Sequence, residues 1–145
     1  MRVLDHPFGC EGGYAWELVA EVAAVRAWRE DVAAVVREWG ADDEAVDVVR
    51  LGVSELLSNV CRHVPDRRCR LTACRETGGV RVGVVDRSAR PPVIKSPDWM
   101  AEAGRGLWLL RGLAADVGYE SLPGGKCVWF RVGWETRGAR GRRAA

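Results

Sequence analysis

The sequence predicts an α+β fold, a two-layer sandwich with helices on one face of a mostly antiparallel sheet. Three observations predict it. The first half of the chain carries two stretches of helical three-and-four spacing. Near Cys69 the rhythm changes to apolar–polar alternation. The alternating runs then come in pairs around glycine turns, with one further helical stretch between the pairs. The chain has 145 residues, 48% hydrophobic and 29% charged, which suits one domain with a real core and excludes a disordered chain.

Residues 1–12 contain Gly9 and Gly12 and read as an extended segment or short strand ending in a turn. From Tyr14 to Trp39 the pattern is helical, through Leu18, Val22, Val25, Val32, Val35, Val36 and Trp39, and Gly40 stops it. Asp42 is placed to N-cap a second helix, with Asp43 and Glu44 at its positive end. Its core stripe is Val46, Val49, Val53, Leu56, Val60 and Val64, and Pro65 ends it. Cys69–Arg75 and Val80–Val85 alternate on either side of Thr77-Gly78-Gly79 and form a hairpin. Residues 87–103 hold Pro91, Pro92 and Pro97 without a period, a length of connection that often serves as a lid. Leu107–Val117 returns to helical spacing. Tyr119–Leu122 and Cys127–Trp134, joined by Pro123-Gly124-Gly125, form a second hairpin. The globular domain therefore spans residues 1–134, and 135–145 is an Arg-rich tail expected to be disordered.

Lys+Arg is 22 against 20 Asp+Glu, a net charge of +2, which argues against a direct nucleic-acid partner. No apolar run approaches a membrane span, and the N-terminus has no signal core, so no membrane association and a cytoplasmic location are expected. Five cysteines without a CxxC spacing read as reduced, mostly buried thiols rather than a zinc site. Among seven tryptophans, Trp16, Trp28 and Trp39 lie along the first helical stretch, and Trp108 and Trp129 fall in apolar patterns expected of the core. Trp99 falls in the proline-rich connection, where it could cap a ligand or touch a partner.

Three places carry chemistry. Glu55, Asn59 and His63 are four apart on the second helix and form one stripe beside its apolar face. A carboxylate there can take a proton, and a carboxamide oxygen is a hard, neutral ligand suited to Mg²⁺, although such a stripe is also what a solvated face looks like. Asp86 closes an apolar strand before an irregular loop, where it could accept from an exocyclic amine or simply make a turn. Gly104-Arg105-Gly106-Leu107 stands at a helix mouth, where glycines let backbone N–H groups approach a phosphate or merely form a hinge.

In this order and spacing, Ser54-Glu55-Leu56-Leu57-Ser58-Asn59 with Arg62-His63, Val85-Asp86-Arg87-Ser88 with Pro91-Pro92, Gly104–Leu110 running to Asp116-Val117-Gly118, and Gly124-Gly125-Lys126-Cys127-Val128-Trp129-Phe130 resemble the GHKL (Bergerat-type) ATPase/kinase superfamily. The branch most similar is that of small anti-sigma-factor serine kinases and their stand-alone ATP-binding relatives in high-GC bacteria. The resemblance covers about residues 14–134 and implies the Bergerat ATP-binding fold.

It further implies ATP and Mg²⁺ as cofactors, with Asn59 binding the metal and Glu55 as general base toward a serine hydroxyl. Asp86 would recognise adenine. Arg62, His63, Ser88, Gly104, Arg105, Gly106, Leu107 and Cys127 complete the implied nucleotide site. Ser88 and Arg90 stand where many members carry glycine, and Cys127 stands where threonine is usual. The implied function is a serine/threonine kinase that phosphorylates an anti-sigma-factor antagonist in a partner-switching circuit and binds a sigma factor. A homodimer is compatible with it. The alternative is an ATP-dependent protein-binding module with little or no phosphotransfer. A histidine-kinase catalytic domain is disfavoured, because no His-bearing helix pair precedes the motifs.

Overall fold

A computed structural model describes residues 12–92 and 105–135, the side chains of Arg105 and Gly106 excepted. In chain order these form β1 (Gly13–Val19), a 3₁₀ turn (Val22–Ala24), α1 (Val25–Glu38), α2 (Asp43–His63), β2 (Arg68–Glu76), β3 (Gly79–Asp86), α3 (Arg105–Leu113), β4 (Asp116–Leu122) and β5 (Gly125–Gly133). The five strands make one sheet in the order β1-β2-β3-β5-β4, and every neighbouring pair is antiparallel. The helices lie on one face, with the expected α+β two-layer architecture. No helix among the described residues is long and apolar enough to cross a membrane.

The first helical stretch is shorter than its spacing predicts. Residues 13–19 are an edge strand, and α1 begins only at Val25. The three-and-four count linked Leu18 to Val22 and Val25, but Tyr14, Trp16 and Leu18 are equally an alternating row, and aromatic residues fit a pleated surface. Trp16 and Leu18 pack against the core. The Tyr14 ring stacks on Trp39 at 6.0 Å, and Trp16 meets Trp28 at 6.5 Å. On the other face Glu17 stands opposite Arg70 in the ladder and accepts from it at 2.7 Å. Trp16 therefore belongs to the sheet and only Trp28 and Trp39 to the helical region.

The second helix follows its sequence signals. The Asp42 carboxylate accepts from the Ala45 N–H at 2.9 Å, a side-chain N-cap, and Gly40 takes a φ of +99° just before it. Val46, Val49, Val53, Leu56, Val60 and Val64 are all buried. α1 and α2 are cross-linked by Arg50, which donates from Nε and Nη2 to the two oxygens of Glu30 at 3.1 and 3.0 Å. That pair is solvent-exposed, so the apolar stripes hold the helices together.

The two hairpins form around Gly78 and Gly124, each at positive φ. α3 ends at Leu113, and Asp116 and Val117, expected in that helix, open β4 instead. The reason is Val117 itself, which lies opposite Phe130 in the ladder and packs on the core. Two tryptophans are not core. Trp108 is 42% exposed on α3. Trp129 lies on the sheet face away from the helices, with the guanidinium groups of Arg81 and Arg131 at 5.0 and 5.8 Å from its ring. Cys61, Cys69 and Cys127 are free thiols, whereas Cys74 is disulfide-bonded, a departure from uniformly reduced cysteines. Burial pushes the Cys69 thiol up to about 12 and the Cys127 thiol up to about 11, so both stay protonated at neutral pH. Trp99 and the tail from residue 136 lie outside the described residues.

One contact sets the distance between α2 and the sheet. Gly52 faces the ring of Phe130, the largest fully buried side chain, and a Cβ at position 52 would overlap that ring. Alanine in a helix is ordinarily better than glycine by about 1 kcal/mol, whereas overpacking a core costs about 1–3 kcal/mol. Gly52→Ala is therefore expected to lower stability in urea unfolding, with part of the loss recovered in Gly52→Ala/Phe130→Leu. A Gly52→Ala protein at least as stable as the parent would refute this packing.

Candidate functional site

The C-terminal half of α2 crosses the ends of β3 and β5, and between them lies a cavity of about 160 Å³. Its apolar walls are Leu56, Val60 and Val64 of the helix side and Val84 and Val128 of the sheet. Its polar groups are Asn59, His63, Asp86, Ser88, Arg90 and Lys126, and Pro91-Pro92 closes the described part of the rim. The volume is below the roughly 300–1,000 Å³ of drug-sized sites, so it suits one ring of a ligand rather than a whole molecule.

Strand register explains which side chains reach it. Val80, Val82, Val84 and Asp86 pair with Val132, Phe130, Val128 and Lys126, and these alternate residues share the helix-facing side. Asp86 is 5% and Lys126 6% exposed. Directly opposite in the ladder, they form an ion pair, with Lys126 Nζ 3.1 Å from Asp86 Oδ1 and 3.0 Å from Oδ2. The Ser88 N–H donates to Asp86 Oδ1 at 2.9 Å, and Lys126 Nζ donates to the Ser88 carbonyl at 3.4 Å. These contacts fold the start of the connection back over Asp86. Two glycines permit the turn that brings Lys126 there. Gly124 has φ +77°, and a Cβ on Gly125 would collide with the Asp86 carbonyl oxygen.

The cavity gathers Asn59, His63, Asp86 and Ser88 from among the residues singled out in the sequence. Others lie elsewhere. Cys127 points to the opposite face of the sheet, where its sulfur lies beside Gly83 and Thr72. A strand alternates strictly, so if Val128 lines the cavity Cys127 cannot, and Lys126 does. Leu107 is buried in the core cluster and does not line the cavity. Glu55 is half-buried one turn before Asn59, and neither it nor the exposed Arg62 is part of the lining. Burial raises the Glu55 carboxyl above its ordinary value, with the nearby Arg62 charge opposing the shift. Gly104 falls outside the described residues, and of Arg105 and Gly106 only their place at the start of α3 is described.

Sequence reasoning missed Lys126 and Arg90. The signal for Lys126 was present: counting back by twos from Phe130 and Val128 gives Lys126, not Cys127, on the core face. For Arg90 no periodic signal exists in an irregular segment.

The donor set fits a divalent cation only with help from a ligand. Among the described residues no three His, Cys, Asp or Glu side chains gather into a cation cage. Asn59 offers one neutral oxygen at the cavity. Mg²⁺ is commonly held in this way, by one or two side chains plus phosphate oxygens.

The comparisons with known proteins agree with this layout. A family model described as "Histidine kinase-like ATPase domain" matches residues 18–132, most of the chain, and the chain belongs to that family. Among solved structures, it is similar to the RsbU and RsbW domains of Rv1364c from Mycobacterium tuberculosis, with a TM-score of 0.63 and 22% identity. The match covers 83% of this chain and 32% of that one, and at this identity it shows a shared fold. No curated protein gives a significant match.

The ion pair yields a stability test. Removing one member of a buried pair costs about 3–5 kcal/mol, because the other charge is left without a partner, whereas replacing both with apolar residues is often near neutral. Asp86→Asn should therefore destabilise the fold more than Asp86→Leu/Lys126→Met does, measured by denaturant unfolding. A double variant less stable than the single one would show that the pair is not coupled as described.

Proposed function

We propose that this member of the histidine kinase-like ATPase family binds ATP with Mg²⁺ in the cavity between α2 and the sheet, and acts as a serine/threonine kinase on an anti-sigma-factor antagonist protein. The observation that carries the nucleotide reading is the buried carboxylate of Asp86 facing the same ring-sized cavity as Asn59. A buried acceptor at the end of an apolar slot suits the exocyclic amine of adenine. His63 and Arg90 on the rim suit an anionic chain leaving the slot. The kinase and partner-switching parts draw on the resemblance of the motifs to anti-sigma-factor serine kinases. The fold shared with the RsbU and RsbW domains of Rv1364c supports them. A cytoplasmic location and a sigma-factor partner belong to the same proposal.

In this reading Asn59 would hold Mg²⁺, which would supply neutralising charge for the phosphate oxygens. Glu55 takes the proton of the substrate serine hydroxyl. The oxygen then bonds to the γ-phosphorus as the bond to the β-phosphate oxygen breaks and ADP departs. Burial that raises the proton affinity of Glu55 strengthens it as a base. A second reading, a nucleotide-dependent protein-binding module, is favoured by one observation: Glu55 does not line the cavity that holds Asn59 and Asp86.

Two measurements test these readings. Calorimetry is expected to show Mg²⁺-dependent binding of ATP and ADP, and Asn59→Ala is expected to remove the Mg²⁺ dependence. Absence of adenine-nucleotide binding at millimolar ligand would overturn the proposal. Single-turnover transfer from labelled ATP to the antagonist is expected to fall by about 10²–10⁴ in Glu55→Gln with little change in ATP affinity. Glu55 must be ionised to act and burial raises its pKa, so the parent rate should climb with pH through a midpoint above the usual glutamate value. Glu55→Gln should lack that limb. Equal transfer by parent and variant would remove Glu55 from the chemistry, and intact ATP binding with no transfer by either would favour the binding module.

A further inference from the structure

We infer that Lys126 is a specificity-determining residue of the cavity, donating a hydrogen bond to ring nitrogen N1 of the adenine whose exocyclic amine Asp86 accepts. The inference rests on the nucleotide reading above and deepens it. The base is then read by a carboxylate and an ammonium side by side, supplied by neighbouring strands.

Hydrogen-bond capacity leads to this assignment. An ammonium has three N–H donors. Lys126 shares one across the Asp86 carboxylate, at 3.1 and 3.0 Å from its two oxygens, and directs a second to the Ser88 carbonyl at 3.4 Å. One donor remains. On the carboxylate, Oδ1 already accepts from Lys126 and from the Ser88 N–H at 2.9 Å, while Oδ2 meets Lys126 alone. One acceptor position therefore remains on Oδ2, 3.0 Å from the nitrogen that carries the spare donor. Both residues line the cavity. Adenine presents on adjacent ring positions an amine N–H and the unprotonated N1, the complement of that pair.

A phosphate-binding role suits Lys126 less well. Its side chain is only 7% exposed and is tied at the strand end to Asp86 and Ser88, the end assigned to the base. Nor does Cys127 compete for N1, since its thiol lies on the other face of the sheet beside Gly83. A purely structural role, as counter-ion to Asp86, is the alternative that the experiment must separate.

The test is titration calorimetry of the full chain with Mg²⁺ and three probes: ADP, 1-deaza-ADP, which replaces N1 by C–H, and 7-deaza-ADP. The parent is expected to bind 1-deaza-ADP about tenfold or more weakly than ADP, because a buried charged donor is left unmatched, and to bind 7-deaza-ADP as it binds ADP. In Lys126→Met the preference for ADP over 1-deaza-ADP should vanish. A ratio within one protein is insensitive to its folded fraction. Lys126→Gln, which keeps an N–H donor, should retain part of the preference. If Lys126→Met does not fold, the parent ratio and Lys126→Gln decide. Equal binding of ADP and 1-deaza-ADP by the parent, a preference unchanged in Lys126→Met, or a loss confined to 7-deaza-ADP would each overturn the inference while leaving nucleotide binding intact. No binding of ADP at all would overturn the nucleotide reading itself.

Discussion

The placement of α2 on the sheet is the constraint from which the site follows. A helix carrying a Cβ at position 52 could not lie where α2 lies, because the Phe130 ring occupies that space. The close approach brings Leu56 and Val60 down onto the same surface as Val84 and Val128, and those four side chains become walls of the cavity. Asn59 is carried to its edge by the same rigid helix. Its position relative to Asp86 is thus set by apolar packing one to two turns away, not by a polar contact. The candidate site is positioned by the core, as expected of a site built on regular elements rather than loops.

The second determinant is the opposition of Asp86 and Lys126 across the β3–β5 ladder. Either charge alone would be expensive at this depth, since desolvation is repaid only by a close partner. Together they form a neutral unit that keeps polar atoms inside an otherwise apolar slot. The Ser88 backbone completes it on one side and the glycine turn crowds it on the other. The segment after β3 is consequently anchored at its first residues by hydrogen bonds to the pair.

Much of this was legible in the sequence, for identifiable reasons. The Asp42 cap, the stripe from Val46 to Val64 and both hairpins follow from local rules that tertiary packing did not override. Strand β1 was misread because a short row of Tyr14, Trp16 and Leu18 fits both periods, and only pairing with β2 decides between them. Helix α3 was read too long because Ala114 and Val117 continue its spacing, although Val117 is needed opposite Phe130. At the candidate site, the motif residues Asn59, His63, Asp86 and Ser88 converge on one cavity. Cys127 fits the motif by residue type, but alternation along β5 turns it to the other face and leaves Lys126 at the cavity. The pairing of Lys126 with Asp86 is a contact between residues 40 apart in sequence, which no local rule contains.

The turn at Pro123-Gly124-Gly125 has a consequence for how such a chain can vary. Because successive strand residues face opposite sides, changing the loop by one residue while the β3–β5 pairing shifts to compensate would exchange the occupant of the cavity wall. The lysine would leave and the thiol would enter, with no codon for either altered. A side chain at Gly125 would push the Asp86 carbonyl aside, whereas a single insertion or deletion changes which side chain faces the cavity. Length at this hairpin is therefore constrained along with its two glycines, and the same count matters at the hairpin around Gly78, which sets the register of Val84 and Asp86 in the cavity wall.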